Sequence, residues 1–166
     1  VGKNLSLVLD IGKLLELVLN LTANVLGGVK TSSVILYDSE LDCLQVMLYK
    51  GERSIEAMGP IKPGEGIAGK VFKRGEPIII NDFHKQGDET GGGRSSICVP
   101  LKVKEKTIGV LSVSDKKSGD PFDQSDLDML VTLASQISIS LYNAQLYEDL
   151  EASYLSAVRA LANSID

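Results

Sequence analysis

The chain is poor in the residues that build most catalytic and metal centres. It carries a single histidine, His84, and only two cysteines, Cys43 and Cys98, in 166 residues. Two Cys and one His cannot assemble a four-ligand Cys/His structural zinc site. Both cysteines sit in apolar, strand-like runs. A disulfide between them stays open on the sequence, but buried free thiols of a reducing compartment are the expected state. Positive charge is also short: 17 basic against 22 acidic residues leave a net charge of −5. That argues against nucleic acid as a partner, which needs a basic face to displace counterions from phosphate. No run of about 18 apolar residues reads as a membrane span, so no membrane partner is expected. Val1 is followed by an amphipathic stretch with Asp10 and Glu16, not by the basic and apolar regions of a signal peptide. A cytoplasmic location is expected.

What is present suits one globular domain, with 43% apolar and 23% charged residues. Val1 is not an initiator methionine, and Asp166 falls inside a helical pattern, so the expectation is a piece of a longer protein. From about Asn4 to Leu26 the spacing of Leu14, Leu15, Val18, Leu21, Val25 and Leu26 predicts a helix, with Asp10 as a plausible N-cap joining a short lead-in to the main segment. Gly27-Gly28 ends it. Ser33–Tyr37 and Leu44–Tyr49 read as strands joined by the turn Asp38-Ser39-Glu40, Gly66–Arg74 as a short helix, and Pro77–Asn81 as a short buried strand. The polar segment Asp82–Arg94 has the length of a loop that closes over a site. Ser96–Lys104 and Thr107–Asp115 form a hairpin, read with its turn at Glu105-Lys106. That register sets Val99 opposite Ser112 and Ile97 opposite Ser114. Ser112 and Ser114 then interrupt an apolar face, either as orienting contacts in a small-molecule pocket or as small residues that let a helix pack close.

Asp123 caps the last helix and Asp126 places a second carboxylate in its first turn. No Gly or Pro occurs from Phe122 to Asp166. A helix of about 42 residues is about 63 Å long, against a globule about 40 Å across. Its end must project. Leu150, Tyr154, Ala157 and Leu161 run 4-3-4, the seam of a coiled coil, and a second copy of the chain is the expected partner.

Several tempting motifs fail on context. Gly64-Glu65-Gly66-Ile67-Ala68-Gly69 spells a dinucleotide fingerprint and, with Lys70, nearly a phosphate loop. Both signatures need a strand that delivers the loop, and Pro60 and Pro63 forbid one here. Val71 replaces the hydroxyl that would bind magnesium. His84 stands alone in its loop, with an inert exposed imidazole weighed against a haem ligand or general base. Lys102, Lys104 and Lys106 read as the wet edge of the hairpin.

In order along the chain, four sections resemble the GAF family: Gly64-x-Gly66-Ile67-Ala68-Gly69-x-Val71, Gly75-x-Pro77-Ile78-x-Ile80-x-Asp82, Ser96-Ile97-x-Val99-Pro100-Leu101, and Ile108-Gly109-Val110-Leu111-x-Val113. Phe122-x-x-x-Asp126 leading into Leu130 and the Ala134–Gln136 helix continues the likeness, which covers about Asp10 to Tyr147. The resemblance implies an α+β fold: a central antiparallel sheet of about six strands, terminal helices on one face, and a short helix and long loop over a pocket on the other. It divides the chain into a sensory domain over 1–147 and a signalling helix over 148–166. Family members are intracellular sensory and dimerisation modules, and the cyclic-nucleotide subgroup carries an N-K-…-F-x-x-x-D-E motif. Lys116, Phe122 and Asp126 match it, while Asp115 and Leu127 depart from it, so a cyclic nucleotide is one ligand among several. Neither cysteine is placed for a bilin thioether, and the loop lacks the cysteines of the family's free methionine sulfoxide reductases.

The segment from Tyr154 to Asp166 resembles the helix leading into a bacterial HD-GYP phosphohydrolase domain, whose metal ligands would lie beyond it. The expected function is therefore a sensor that binds a small ligand and signals through a dimeric helix, the alternative being a ligand-free structural dimeriser. An enzyme is not expected in this piece, since no nucleophile–base or metal set is visible. The sequence leaves the cofactor unknown. Candidate wall residues are Phe72, Ile80, Asp82, His84, Arg94, Ile97, Ser112 and Ser114, with Arg94 as the contact for an anionic or carbonyl group.

Overall fold

The computed structural model describes residues 2–52, 58–82 and 94–165. Three helices and five strands follow in the order α1 (Gly2–Val25), β1 (Val29–Asp38), β2 (Cys43–Lys50), α2 (Gly66–Arg74), β3 (Ile78–Asp82), β4 (Arg94–Val103), β5 (Lys106–Lys116) and α3 (Gln124–Ile165). The strands form one antiparallel sheet in the order β2-β1-β5-β4-β3. Among the described residues the sheet has five strands, where about six were expected. Among the described residues, the chain before α2 contributes only the bridge Leu44–Ile61 beside β2. Pro60 and Pro63 flank that bridge, and a residue without an N–H cannot extend a ladder.

Alternation of side chains sorts the sheet into two packed faces. On one, Val34, Ile97, Val99, Leu101, Leu111 and Val113 meet Leu15, Val18 and Leu19 of α1 and Leu130, Ala134, Ile137 and Leu141 of α3. On the other, Ile35, Leu44, Cys98 and Val110 meet Val71 of α2, with Ala68 and Phe72 against them. Helix α1 is continuous, so Asp10 lies within it and not at a cap. The β1–β2 turn forms where expected, because Asp38 Oδ1 accepts the N–H groups of Glu40 and Leu41 at 2.9 and 3.2 Å.

The β4–β5 hairpin corrects the sequence reading. Its two-residue turn is Lys104-Glu105, with Lys104 left-handed at φ 57°, and Val103 pairs with Lys106. A register shift between Leu101 and Lys102 follows, after which Val99 faces Leu111, Cys98 faces Ser112 and Ser96 faces Ser114. The net change from the expected pairing is one residue, and one residue exchanges the faces of a strand. Ile97 therefore belongs to the helix-covered core, fully buried, opposite Val113.

The order of strands also decides the cysteines. Cys43 and Cys98 are both free and buried, on strands β2 and β4. With β1 and β5 between them, three strand spacings of about 4.8 Å separate them by roughly 14 Å across the sheet alone, and the register offsets them further along the strands, far beyond disulfide reach.

Gly109 of β5 is the register partner of Leu36 of β1, and a methyl group there would overlap the Ile35 carbonyl and the Leu36 side chain. Gly109→Ala is expected to destabilise the domain by about 2–3 kcal/mol, because strand backbones cannot yield as side chains do. Urea unfolding measures it. A loss below half a kcal/mol would mean that the two strands part freely.

Candidate functional site

The face opposite α1 and α3 carries a cavity of about 560 Å³ beside α2, within the range of small-molecule sites. Strand pairing shows how the sequence builds its floor. Thr31, Ser114 and Ser96 are register partners across β1, β5 and β4, and Ser33 and Ser112 form the next row, flanked by Tyr49 of β2 and Cys98 of β4. Ile35 and Val110 form the row after that, with Val46 and Ile61 beside them. Thr31, Ser33, Ile35, Val46, Tyr49, Ser96, Ser112, Ser114 and Asp115 all line the space, together with Met58, Gly59 and Ile61. Ser96 and Ser114 share a hydrogen bond of 2.9 Å. Burial pushes the Cys98 thiol up to about 12, the Ser112 hydroxyl pulling the other way. It therefore stays protonated at neutral pH, inert as a nucleophile.

Of the residues singled out from sequence, Ser112 and Ser114 come together on this floor. Ile80 is the register partner of Ser96 and so lies on the same face of the sheet. Phe72 stands aside, its ring 4.7 Å from that of Tyr37 in the apolar cluster under α2. Asp82 and Arg94 are partners at the open end of the β3–β4 ladder. Ile97 is excluded by the register described above, and His84 lies outside the described residues. Sequence reasoning missed Thr31, Ser33 and Ser96. The signal was there, since Thr31/Ser33 and Ser112/Ser114 each recur at a spacing of two, but only the correct register aligns them.

The glycine run before α2 is a closed turn. Gly64 N–H donates to the Gly69 carbonyl at 2.9 Å and Glu65 N–H to the Lys62 carbonyl at 2.9 Å. A Cβ at Gly69 would come within 2.6 Å of that Lys62 carbonyl. Those amides are spent within the turn and are not free to cradle a phosphate. Among the described residues no group of three or more His, Cys, Asp or Glu side chains gathers to hold a metal, and no helix is long and apolar enough to cross a membrane.

One wall of the cavity is wired to the start of α3. Asp115, left-handed at φ 56°, accepts the Ser95 N–H on Oδ1 at 3.0 Å. Ser95 Oγ accepts the Phe122 N–H at 3.0 Å and donates to Asn81 Oδ1, while Asn81 Nδ2 donates to the Phe122 carbonyl at 3.1 Å. Asp123 follows at once as the N-cap. Its Oδ1 accepts Asp126 N–H at 2.9 Å and its own N–H donates to Asp126 Oδ2 at 2.9 Å, a reciprocal box.

Lys116 Nζ lies 2.7 Å from Asp126 Oδ2 and 5.7 Å from the Phe122 ring centroid. The three residues that match the cyclic-nucleotide motif thus tie the end of β5 to the start of α3, and none of them lines the cavity.

Burial acts most strongly on Asp126 and pushes its carboxyl up. The Lys116 hydrogen bond, the Asp123 backbone N–H and the Lys116 charge together outweigh it, so the carboxyl sits below the usual 3.8. The hydrogen bond to Asp126 in turn raises Lys116 above 10.5. A depressed carboxyl stabilises above its unfolded value and loses that contribution as pH falls through the folded one. For the raised lysine the contribution holds below 10.5 and fades as pH rises through its folded value. Asp126→Asn is therefore expected to cost about 1–2 kcal/mol between pH 5 and 9 and progressively less towards pH 3. Thermal melts of both proteins across pH test this, and a difference that persists unchanged at pH 2 would refute it.

A five-stranded antiparallel sheet with terminal helices on one face and a hydroxyl-floored cavity on the other makes this an α+β domain. A GAF domain profile matches residues 8–141, and the chain belongs to that family. The second GAF domain of DevS from Mycobacterium smegmatis shares the architecture with a TM-score of 0.68 at 20% identity, covering 85% of this chain and 99% of that one. The GAF domain of the Acinetobacter phosphoenolpyruvate-protein phosphotransferase does so with a TM-score of 0.65 at 25% identity, covering 90% and 99%. Over 94 residues the chain is 36% identical to the dual 3′,5′-cyclic-AMP and -GMP phosphodiesterase 11 of Drosophila melanogaster, which is 51% of this chain and 6% of that protein. The chain spans about a tenth or less of the length of the curated relatives it matches.

Proposed function

We propose that this chain is the sensory part of a signalling protein. A small molecule occupies the cavity over Thr31, Ser33, Ser96, Ser112 and Ser114, and occupancy shifts the balance between two settings of α3. That helix pairs with its copy in a homodimer through Leu150, Tyr154, Ala157 and Leu161 and leads to an output domain of the HD-GYP phosphohydrolase type.

The observation that carries this reading is the hydrogen-bonded ring of Ser95, Asn81 and Phe122. It joins a cavity-wall residue, Asp115, to the residue before the α3 cap. A ligand that binds the two settings of that wall unequally shifts their populations, and only by its difference in affinity. The likeness of Tyr154–Asp166 to the helix that precedes HD-GYP domains supports the output. The Drosophila phosphodiesterase likeness supports a cyclic nucleotide as one ligand to test. Native mass spectrometry of the purified chain tests the reading. A small molecule retained by a dimer is expected. An empty dimer with no thermal shift across nucleotides and metabolites would replace the sensor with a ligand-free dimeriser.

A further inference from the structure

Beyond Leu141 the apolar side chains of α3 recur at a spacing that a heptad does not explain. Tyr147 and Val158, Leu150 and Leu161, and Tyr154 and Ile165 each stand eleven residues apart. All six are exposed in the single chain. At about 100° per residue they fall within an arc of about 80° on the helix. The residues that α3 turns to its own core, Leu130, Ala134, Ile137 and Leu141, centre about 130° away from that arc. The helix therefore has one face for its own domain and another for a partner. Eleven residues before Leu150 the outer line reaches Ile139, half exposed on the body of the domain.

The 4-3-4 line through Leu150, Tyr154, Ala157 and Leu161 shares three of these residues. Continued both ways, it seats Ser140, Ala157 and Ser164 where the eleven-residue line seats Ile139, Val158 and Ile165. Apolar burial drives such pairing, so the line that buries three more branched aliphatic side chains per helix wins. An eleven-residue period is about 3.67 residues per turn, which drifts little from a straight helix and in the sense opposite to a heptad. A stripe of that pitch fits a helix whose stripe drifts alike, and a second copy of α3 meets the condition by identity. The exposed fractions of the six side chains correspond to roughly 800 Å² per copy, about one partner's share of a standard stable interface. A parallel copy also sets Ile139 against Ile139. An antiparallel copy would carry its own body to the far end of the helix and leave Ile139 uncovered.

We propose that two copies of α3 pair in parallel through Tyr147, Leu150, Tyr154, Val158, Leu161 and Ile165, as a nearly straight pair with a slight right-handed wrap. This rests on the reading that α3 joins a homodimer, and it places Ala157 beside the seam rather than in it.

The test is oxidative cross-linking of the whole chain carrying Val158→Cys, Ile165→Cys, Ala157→Cys or Ser164→Cys, with sedimentation of each reduced protein beside it. Cys43 and Cys98 are buried, and the unaltered chain serves as the control. A disulfide needs Cβ atoms about 4 Å apart, so Val158→Cys and Ile165→Cys are expected to link at least about tenfold faster than Ala157→Cys and Ser164→Cys. Equal or faster linking of the Ala157→Cys and Ser164→Cys proteins would overturn the inference in favour of a heptad seam and leave the homodimer standing. A dimer in which none of the four variants links would overturn it in favour of an antiparallel pair or another face. A monomer throughout would remove both the inference and the homodimer on which it rests.

Discussion

Leu150→Asp combined with Leu161→Asp is expected to leave the chain monomeric at micromolar concentration, where the unaltered chain is expected to sediment as a dimer. Helix α3 has 42 residues and is therefore about 63 Å long. Its last contact with the buried core is Leu141, and from there to Ile165 it extends about 36 Å further. Leu150 is 68% exposed, Tyr154 67% and Leu161 67% in the single chain. Such a stripe on a projecting helix calls for a partner. Burying one leucine contributes about 1.5–3 kcal/mol, and the double variant removes four from a symmetric pair. A loss of at least about 6 kcal/mol weakens association by roughly four orders of magnitude. Neither residue touches the core, so the melting of the domain itself should barely change. A monomeric unaltered chain with α3 intact by circular dichroism would remove the dimer and, with it, the proposed route of transmission.

Phe122→Ala should cost about 3–5 kcal/mol, the largest effect expected of any single side chain near the site. Phe122 is 2% exposed within the cluster that joins α1, α3 and the sheet. Its ring also sits beneath Lys116, and its backbone holds both hydrogen bonds that fasten α3 to β3 and β4. Truncation leaves a cavity at the junction where the helix begins, and the melting temperature should drop by about 10 °C or more. Phe122→Leu should recover most of it. A loss below about 1 kcal/mol would show that the junction repacks, and that the residue is not the rigid element of the coupling.

The parts of this fold that proved legible rest on local chemistry. The helix Gly66–Arg74 was readable from a glycine entry and Gly75, whose left-handed φ of 68° lets its N–H close on Val71. The start of α3 was readable from two aspartates three apart, and both bond as a reciprocal box. Asp10 misled because a good capping residue inside a continuous apolar pattern is carried along by the helix around it.

The site was less legible. The β4–β5 pairing turned on which two residues make the turn and on one irregularity beside Leu101. A slip of one residue put Ile97 in the cavity and left Ser96 out, when the reverse holds. Thr31 and Ser33 are some 80 residues from Ser112 and Ser114, and no local pattern brings β1 alongside β5.

Periodicity, capping and turn residues were enough for the separate helices and strands and for a long terminal helix, since all of these act within a few turns of chain. The α+β arrangement came from the resemblance to the GAF family. Strand order and register settled the rest: which hydroxyls share a floor, that Cys43 and Cys98 stand strands apart, and that Lys116 meets Asp126. Those outcomes depend on pairings between distant segments, whose energies appear only once the whole sheet is assembled.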